Sequence, residues 1–471
     1  MFQTLKNAWR TQEIRGKILF TLLILLLYRI GTVIPVPFVD ANNFSSAFGD
    51  TILAYMDTLA GGSLSAATLF ALGVSPYINA SIIIQLLAIV FPKLGEIAKN
   101  DKKKMNFITR IVTMVLAVVT AIGYYFLLKT YGQLSLTAVH SNIGWLYAIV
   151  IVACYCAGAA LIMWLAERIN ERGIGNGISL ILFANIISVV PPFIYQLFKL
   201  VYTTYGYGGV NEKLTNAWAY PLVSTIFAVV FLVFMVALIV FVILVTGSER
   251  RIPVQYAKKV VGRKMYGGQS SHLPIKLNMT GVMPIIFASS IVSLVPTILA
   301  LCQVEETSFW GKVNSVLAAD GFVYPTILFI LIIAFAYFYS QITFDPMEVA
   351  NNLQRQGGAV PGIRQGRPTA LHIKKILNKV TLVGALFLGI IAVLPVILGP
   401  HAIEHLLRWL VTGYYSDPST YSSSIEASVS SLSSVFTFGG TTLLIMVGVA
   451  IETYRELEAQ LTMRNYKGFL N

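Results

Sequence analysis

The chain has 471 residues, of which 56% are hydrophobic and only 12% charged, with a mean hydropathy of +0.73. Soluble domains carry about 25% charged residues, so the composition points to immersion in a bilayer. The formal net charge of +13 would suit a nucleic-acid partner, but the basic residues sit in short segments between apolar runs, which argues against that use.

Ten apolar runs of spanning length follow one another, near residues 18–34, 75–91, 107–128, 145–166, 174–198, 219–245, 281–301, 321–342, 376–399 and 435–451. A spanning helix needs about 20 residues. The first run follows Lys6, Arg10, Arg15 and Lys17 as a signal peptide would. It is too long for one, with Pro35 and Pro37 beyond it and no small-residue cleavage site, so it is read as the first span.

The second run is interrupted. "LAGGSLSAATLFALGVSPYINASIIIQLL", Leu59 to Leu87, is apolar enough to span but carries Gly61, Gly62, Gly73 and Pro76. Glycine frees the backbone and proline ends one helix while starting the next. The residues read either as a short piece followed by a span or as one kinked helix. Cys154 and Cys156 in the fourth span and Cys302 after the seventh show neither CxxC nor zinc spacing, and are read as packing residues.

Charge tests the count. Of the 34 Lys and Arg, 28 lie in segments 1–17, 92–110, 167–172, 246–278, 343–379 and 452–471. Five lie in the alternate set, and Arg29 stands alone within a span, near enough its outer end to snorkel. Acidic residues divide evenly, 11 and 10. Positively charged loops remain cytoplasmic, so the alternation predicts an all-α integral membrane protein with ten transmembrane helices and both termini in the cytoplasm.

No acidic residue falls inside a span, which argues against proton coupling and less firmly against sodium coupling. All five histidines lie in loops, and His401 and His405, spaced i, i+4, have no acid in a zincin pattern. No GxxxxGK[ST] occurs, so no nucleotide site is expected. The chain reads as a non-enzyme without cofactor or metal. Segments 246–278 and 343–379 are basic, rich in Gly, Pro and Gln, and longer than connectors need. Arg250, Arg251, Lys258 and Lys259 suit docking of an acidic partner or RNA; a topology signal would explain the charge but not the length.

Five stretches resemble the SecY family, whose members form the pore of the bacterial protein-conducting channel. They are "GGSLSAATLFALGVSPYINASIIIQLL", "ERINERGIGNGISL", "ERRIPVQYAKKVVGR…SSHLPIKLNMTGVMPIIFASSI", "GAVPGIRQGRPTA" and "FGGTTLLIMVGVAIETYRELEAQLTMRNYKGFL". The resemblance implies two pseudo-symmetric halves, spans 1–5 (residues 1–200) and 6–10 (201–471), around a central hourglass pore in the bacterial plasma membrane. It implies that residues 58–72 form a re-entrant plug half-helix, including Gly61, Gly62, Leu64, Leu69 and Phe70, which leaves its seat at modest cost.

By the same resemblance the pore ring maps to Ile78, Ile82, Ile178, Leu182, Met283, Ile291 and Ile445; each alone is also an ordinary packing residue. A lateral gate lies between spans 2 and 3 and spans 7 and 8. Gln85 borders it, either hydrogen-bonding across the closed seam or filling space. Arg364 in "VPGIRQG" matches the functional arginine of the second long loop. Implied partners are SecE-like and SecG-like small membrane subunits, the SecA motor ATPase, the ribosome with its rRNA, signal peptides, unfolded preproteins and the lipid bilayer. A secondary transporter of a small solute is the alternative. Residues 400–434, with "HAIEHLLRWLVTGYY" and a Ser-rich tail, form an outer segment longer than the family's pattern leads one to expect.

Overall fold

The computed structural model describes residues 2–39, 57, 59–131, 133–134, 144–206, 219–256, 259–261, 264–266, 270–301, 308–316, 323–397 and 440–467. Two helices open the chain, α1 (Phe2–Arg10) and α2 (Gln12–Gly31). After a run of turns comes α3 (Ser75–Val90), which starts on Pro76 and stops at Phe91. Pro92 holds Phe91 in an extended conformation (φ −105°, ψ 107°) and begins α4 (Pro92–Asn100), bent from α3 by 118°. Asp101 caps α5 (Lys102–Thr130) by accepting from the Lys104 amide at 3.2 Å, and that bond holds its carboxyl below the usual carboxylate range. Then follow α6 (Gly144–Arg172), α7 (Gly177–Gly206) and α8 (Ala219–Gly247).

The first long basic segment is β-structure: β1 (Glu249–Tyr256), β2 (Lys259–Val261), β3 (Lys264–Tyr266) and β4 (Ser270–Lys276). Beyond it lie α9 (Met283–Leu301), α10 (Phe309–Val316), α11 (Val323–Thr343), α12 (Pro346–Arg355), β5 (Gly358–Ala359), α13 (Arg367–Ile397) and α14 (Gly440–Lys467). All ten apolar runs therefore have their bulk in a helix. Stretches within Lys103–Thr130, Gly144–Arg172, Val323–Arg355 and Arg367–Leu394 are individually long and apolar enough to cross a membrane. Their outward faces expose residues such as Val115, Val119, Ile149 and Ile330, as a helix facing lipid requires. The protein is a multi-pass helical membrane protein.

The all-α expectation needs one correction. "RIPVQY" alternates apolar and polar residues with the period of a strand, and Ile252 and Val254 point inward. β1 pairs antiparallel with β4, Glu249 facing Lys276 and Gln255 facing Ser270. Its other edge takes β5, Tyr256 facing Gly358. The two basic segments therefore share one sheet and one core, in which Ile252, Val254 and Ile275 pack on Leu353, Val360, Ile373 and Leu377. They are one body, not two loops.

Helices from early and late in the chain meet along two edges. On one, α9 lies against α3 and α5; on the other, α7 lies against α8 and α14. The largest apolar cluster draws on helices from both edges, among them α3, α7, α9 and α14.

Candidate functional site

The seven ring candidates come from four helices and end in that one cluster. Ile78 and Ile82 are a helical turn apart on α3, as are Ile178 and Leu182 on α7; Met283 and Ile291 come from α9 and Ile445 from α14. Ile78, Ile82, Leu182 and Ile445 are buried at 5% exposure or less, and Ile178, Met283 and Ile291, partly buried, pack against the same cluster. Helix spacing explains why the pairs share a face; only the fold explains why four faces converge.

Phe70 and Val74 belong to the same cluster, with Leu59 and Leu69 packed on it. Their segment is not the half-helix expected over residues 58–72. Residues 60–74 run as successive turns, with Gly61, Gly62 and Gly73 at positive φ (70°, 81° and 56°). An α-helix has no place for those angles. Thr58 lies outside the described residues.

The segment has two faces. Phe70 and Val74 join the first cluster, while Ala60, Leu64, Ala67 and Ala71 join a second cluster built on α5 and α6. Nor is it loosely held. The Asn185 amide of α7 donates to the Leu59 carbonyl at 2.9 Å, and the Leu69 amide donates to Ile34 at 2.9 Å beside a bridge between Pro35 and Thr68. Ser63 Oγ donates to the carbonyls of Ala60 and Phe70, and the Asp57 carboxylate accepts from the Ser65 amide at 2.8 Å. The Phe70 ring stacks on Tyr28 with centroids 5.4 Å apart. Arg29, expected to snorkel, keeps Nη1 buried, and a Cβ on Gly61 would stand 3.2 Å from it.

At the edge where α9 meets α3, Gln85 hydrogen-bonds both within its helix and to a neighbouring one. Its amide donates to Ser81 Oγ on the same helix at 2.9 Å, and its carbonyl oxygen accepts from the Tyr339 hydroxyl of α11. The Tyr339 ring leans on Phe287 of α9, centroids 5.1 Å apart. In the sequence Tyr339 is inconspicuous. Its signal was a hydroxyl in an apolar run, which many spanning helices carry.

The basic body presents the docking candidates unequally. Arg364 is exposed, but its backbone is fixed: its carbonyl accepts from Thr369 Oγ1 at 2.7 Å, and Gln365 Nε2 reaches the Gly358 carbonyl at 3.2 Å. Ile363 packs into the body's core. Arg250 and Arg251 are exposed on β1, Arg251 already paired with Glu249 at 2.7 Å. Lys259 opens β2, and Lys258 lies outside the described residues, as do His401, His405 and segment 400–434.

Irregular backbone at membrane depth survives only where protein or a cavity surrounds it. A helical bundle that encloses such a segment among its helices suits a membrane channel. The SecY family model matches residues 68–454, and the chain belongs to that family. It is 36% identical over 483 residues to the protein translocase subunit SecY of Streptomyces galbus, covering all of both chains. Among solved structures, one described as a protein-conducting channel superposes with a TM-score of 0.56 at 16% identity, covering 94% of this chain and 92% of that one. Sec61 in the canine ribosome–channel complex from the endoplasmic reticulum superposes with a TM-score of 0.52, at the same identity and coverage.

Proposed function

We propose that the chain is the channel-forming subunit of a protein translocase, passing unfolded preproteins across a membrane and releasing hydrophobic segments sideways into lipid. What supports this is one apolar cluster that holds Ile78, Ile82, Leu182 and Ile445 together with Phe70 and Val74, with Ile178, Met283 and Ile291 packed against it. A pore for arbitrary sequences cannot offer fixed charges or hydrogen bonds. An apolar ring seals by excluding water and deforms around what passes.

In this reading ten spans in two halves, 1–200 and 201–471, enclose an hourglass with segment 59–74 as its plug. Both termini and the basic body face the cytoplasm of a bacterial cell, as the asymmetry of Lys and Arg supports. SecE-like and SecG-like subunits would flank the bundle. The chain lacks a P-loop motif, so work comes from a docked SecA-type ATPase or from a ribosome; the canine Sec61 complex supports the second. A small-solute transporter has no support from the family assignment.

Replacing Ile82 and Ile445 together by Gly tests the seal. Resting ion conductance in planar bilayers rises several-fold, and a conductance equal to the parent's argues against the ring. Tyr339→Phe tests the gate. Interhelical hydrogen bonds in membranes average about 0.6 kcal/mol, so export of a reporter with a weakened signal peptide rises roughly threefold. An unchanged yield removes the Gln85–Tyr339 contact from the gate.

A further inference from the structure

One residue of the turn segment is strained. Ala67 lies at φ +46°, in the left-handed region that penalises a Cβ. Its neighbours "SLSAATLF" include no glycine or asparagine that would favour such a turn. The conformation is imposed from outside. The Leu64 carbonyl accepts a hydrogen bond from the Tyr124 hydroxyl of α5, and the Ala67 carbonyl accepts one from the Tyr155 hydroxyl of α6 at 3.4 Å. The two rings are buried and meet edge to face, centroids 5.1 Å apart, within the cluster that holds Leu64, Ala67 and Ala71.

We infer that Tyr124 and Tyr155 are a clasp: positioning residues whose hydroxyls hold the strained Leu64–Ala67 turn seated and so set how often the segment leaves the central cluster. Three features support this. The rings are buried on two helices and packed edge to face on each other, which holds both hydroxyls toward the segment. Departure strips both hydroxyls of these acceptors, while strain at Ala67 favours departure. The balance is therefore between a hydrogen-bonded hold and a stored distortion. Furthermore, neither carbonyl depends on tyrosine alone: Leu64 also accepts from the Ala67 amide at 3.1 Å, and Ala67 from the Val36 amide at 3.4 Å. Tyr→Phe thus keeps the ring and orphans no backbone group. It changes the hold and not the fold.

The clasp rests on the reading of 59–74 as a plug only for its consequence, not for its existence, and the experiment separates the two. In full-length protein with Cys154, Cys156 and Cys302 replaced by Ala and reconstituted in vesicles, Ala71→Cys places a thiol in the second cluster, where it reacts with a maleimide only when the segment lifts. Ala385→Cys, buried on α13, is the control. Each Tyr→Phe change raises labelling at position 71 roughly threefold, and Tyr124→Phe with Tyr155→Phe together raise it about eightfold, with position 385 unchanged. Labelling at 71 within twofold of the parent overturns the clasp, and so does a parallel rise at 385, which would mean general loosening. Resting conductance is read on the same vesicles. Faster labelling at 71 with unchanged conductance keeps the clasp and rejects the plug.

Discussion

A Gly158→Ala variant leaks ions at rest. Gly158 lies in the middle of α6, where alanine is the better helix former by about 1 kcal/mol, so the helix itself gains. Yet a Cβ built on Gly158 stands 2.0 Å from the Leu69 carbonyl oxygen and 3.0 Å from its carbon. The obstacle is backbone, and it belongs to the segment that carries Phe70 into the central apolar cluster. Relief requires Leu69 to withdraw by about 1 Å or more, against its own hydrogen bond to Ile34. Overpacking of this kind costs about 1–3 kcal/mol. Borne by the seated state alone, it raises the unseated population by roughly 5- to 150-fold. Planar-bilayer recording gives the resting conductance, and thermal unfolding of the purified protein shows whether α6 is intact. A folded variant with the parent's conductance would mean that the segment adjusts in place and does not seal the channel. Gly31→Ala is the milder companion. The clash there is with the Phe70 ring, a side chain that can turn away at the expense of its stack on Tyr28.

What the sequence made legible follows from which forces are local. Apolar runs mark helices because every backbone group in lipid must be bonded within its own segment, and each of the ten runs has its bulk in one. Helix ends were less legible. α13 begins at Arg367, ahead of the run at 376, because "RPTALHIKK" continues the helix outside the apolar stretch with Arg367, Lys374 and Lys375 exposed. The strand alternation of "RIPVQY" was present in the sequence, but its pairing with Gly358–Ala359 lies about a hundred residues away and leaves no local trace. Residues 60–74 misled most. Their Ala and Leu content favours helix, while the turns are stabilised by groups from α5, α6, α7 and the chain at Ile34–Val36, none of them adjacent in sequence. Gln85 was readable as a polar residue at a seam. Its acceptor role toward Tyr339, 254 residues on, was not.

Arg364→Glu abolishes motor-driven export while the protein still inserts and folds. The prediction begins with what holds the turn. Gly362 and Gly366 take positive φ (79° and 86°), Thr369 and Gln365 tie the backbone on either side, and Ile363 anchors it in the core of the basic body. All of these contacts are made by backbone or by neighbouring side chains, and the guanidinium takes part in none. Among the described residues it has no ion-pair partner, so reversing its charge disturbs the fold by no more than about 0.5 kcal/mol. At an interface the same group is a rigid fork for a carboxylate or phosphate. Truncating one partner of such a buried pair costs about 2–5 kcal/mol, and glutamate adds repulsion. Vesicle translocation with ATP and a SecA-type motor should therefore fall to background, and normal ATP-driven export by this variant would refute the docking role. Arg364→Lys keeps the charge without the fork and falls between the two. Arg251→Glu has a smaller effect, since Arg251 already spends its guanidinium on Glu249. The contrast between two exposed arginines on one rigid body distinguishes a specific contact from a field of positive charge, which would respond equally to both.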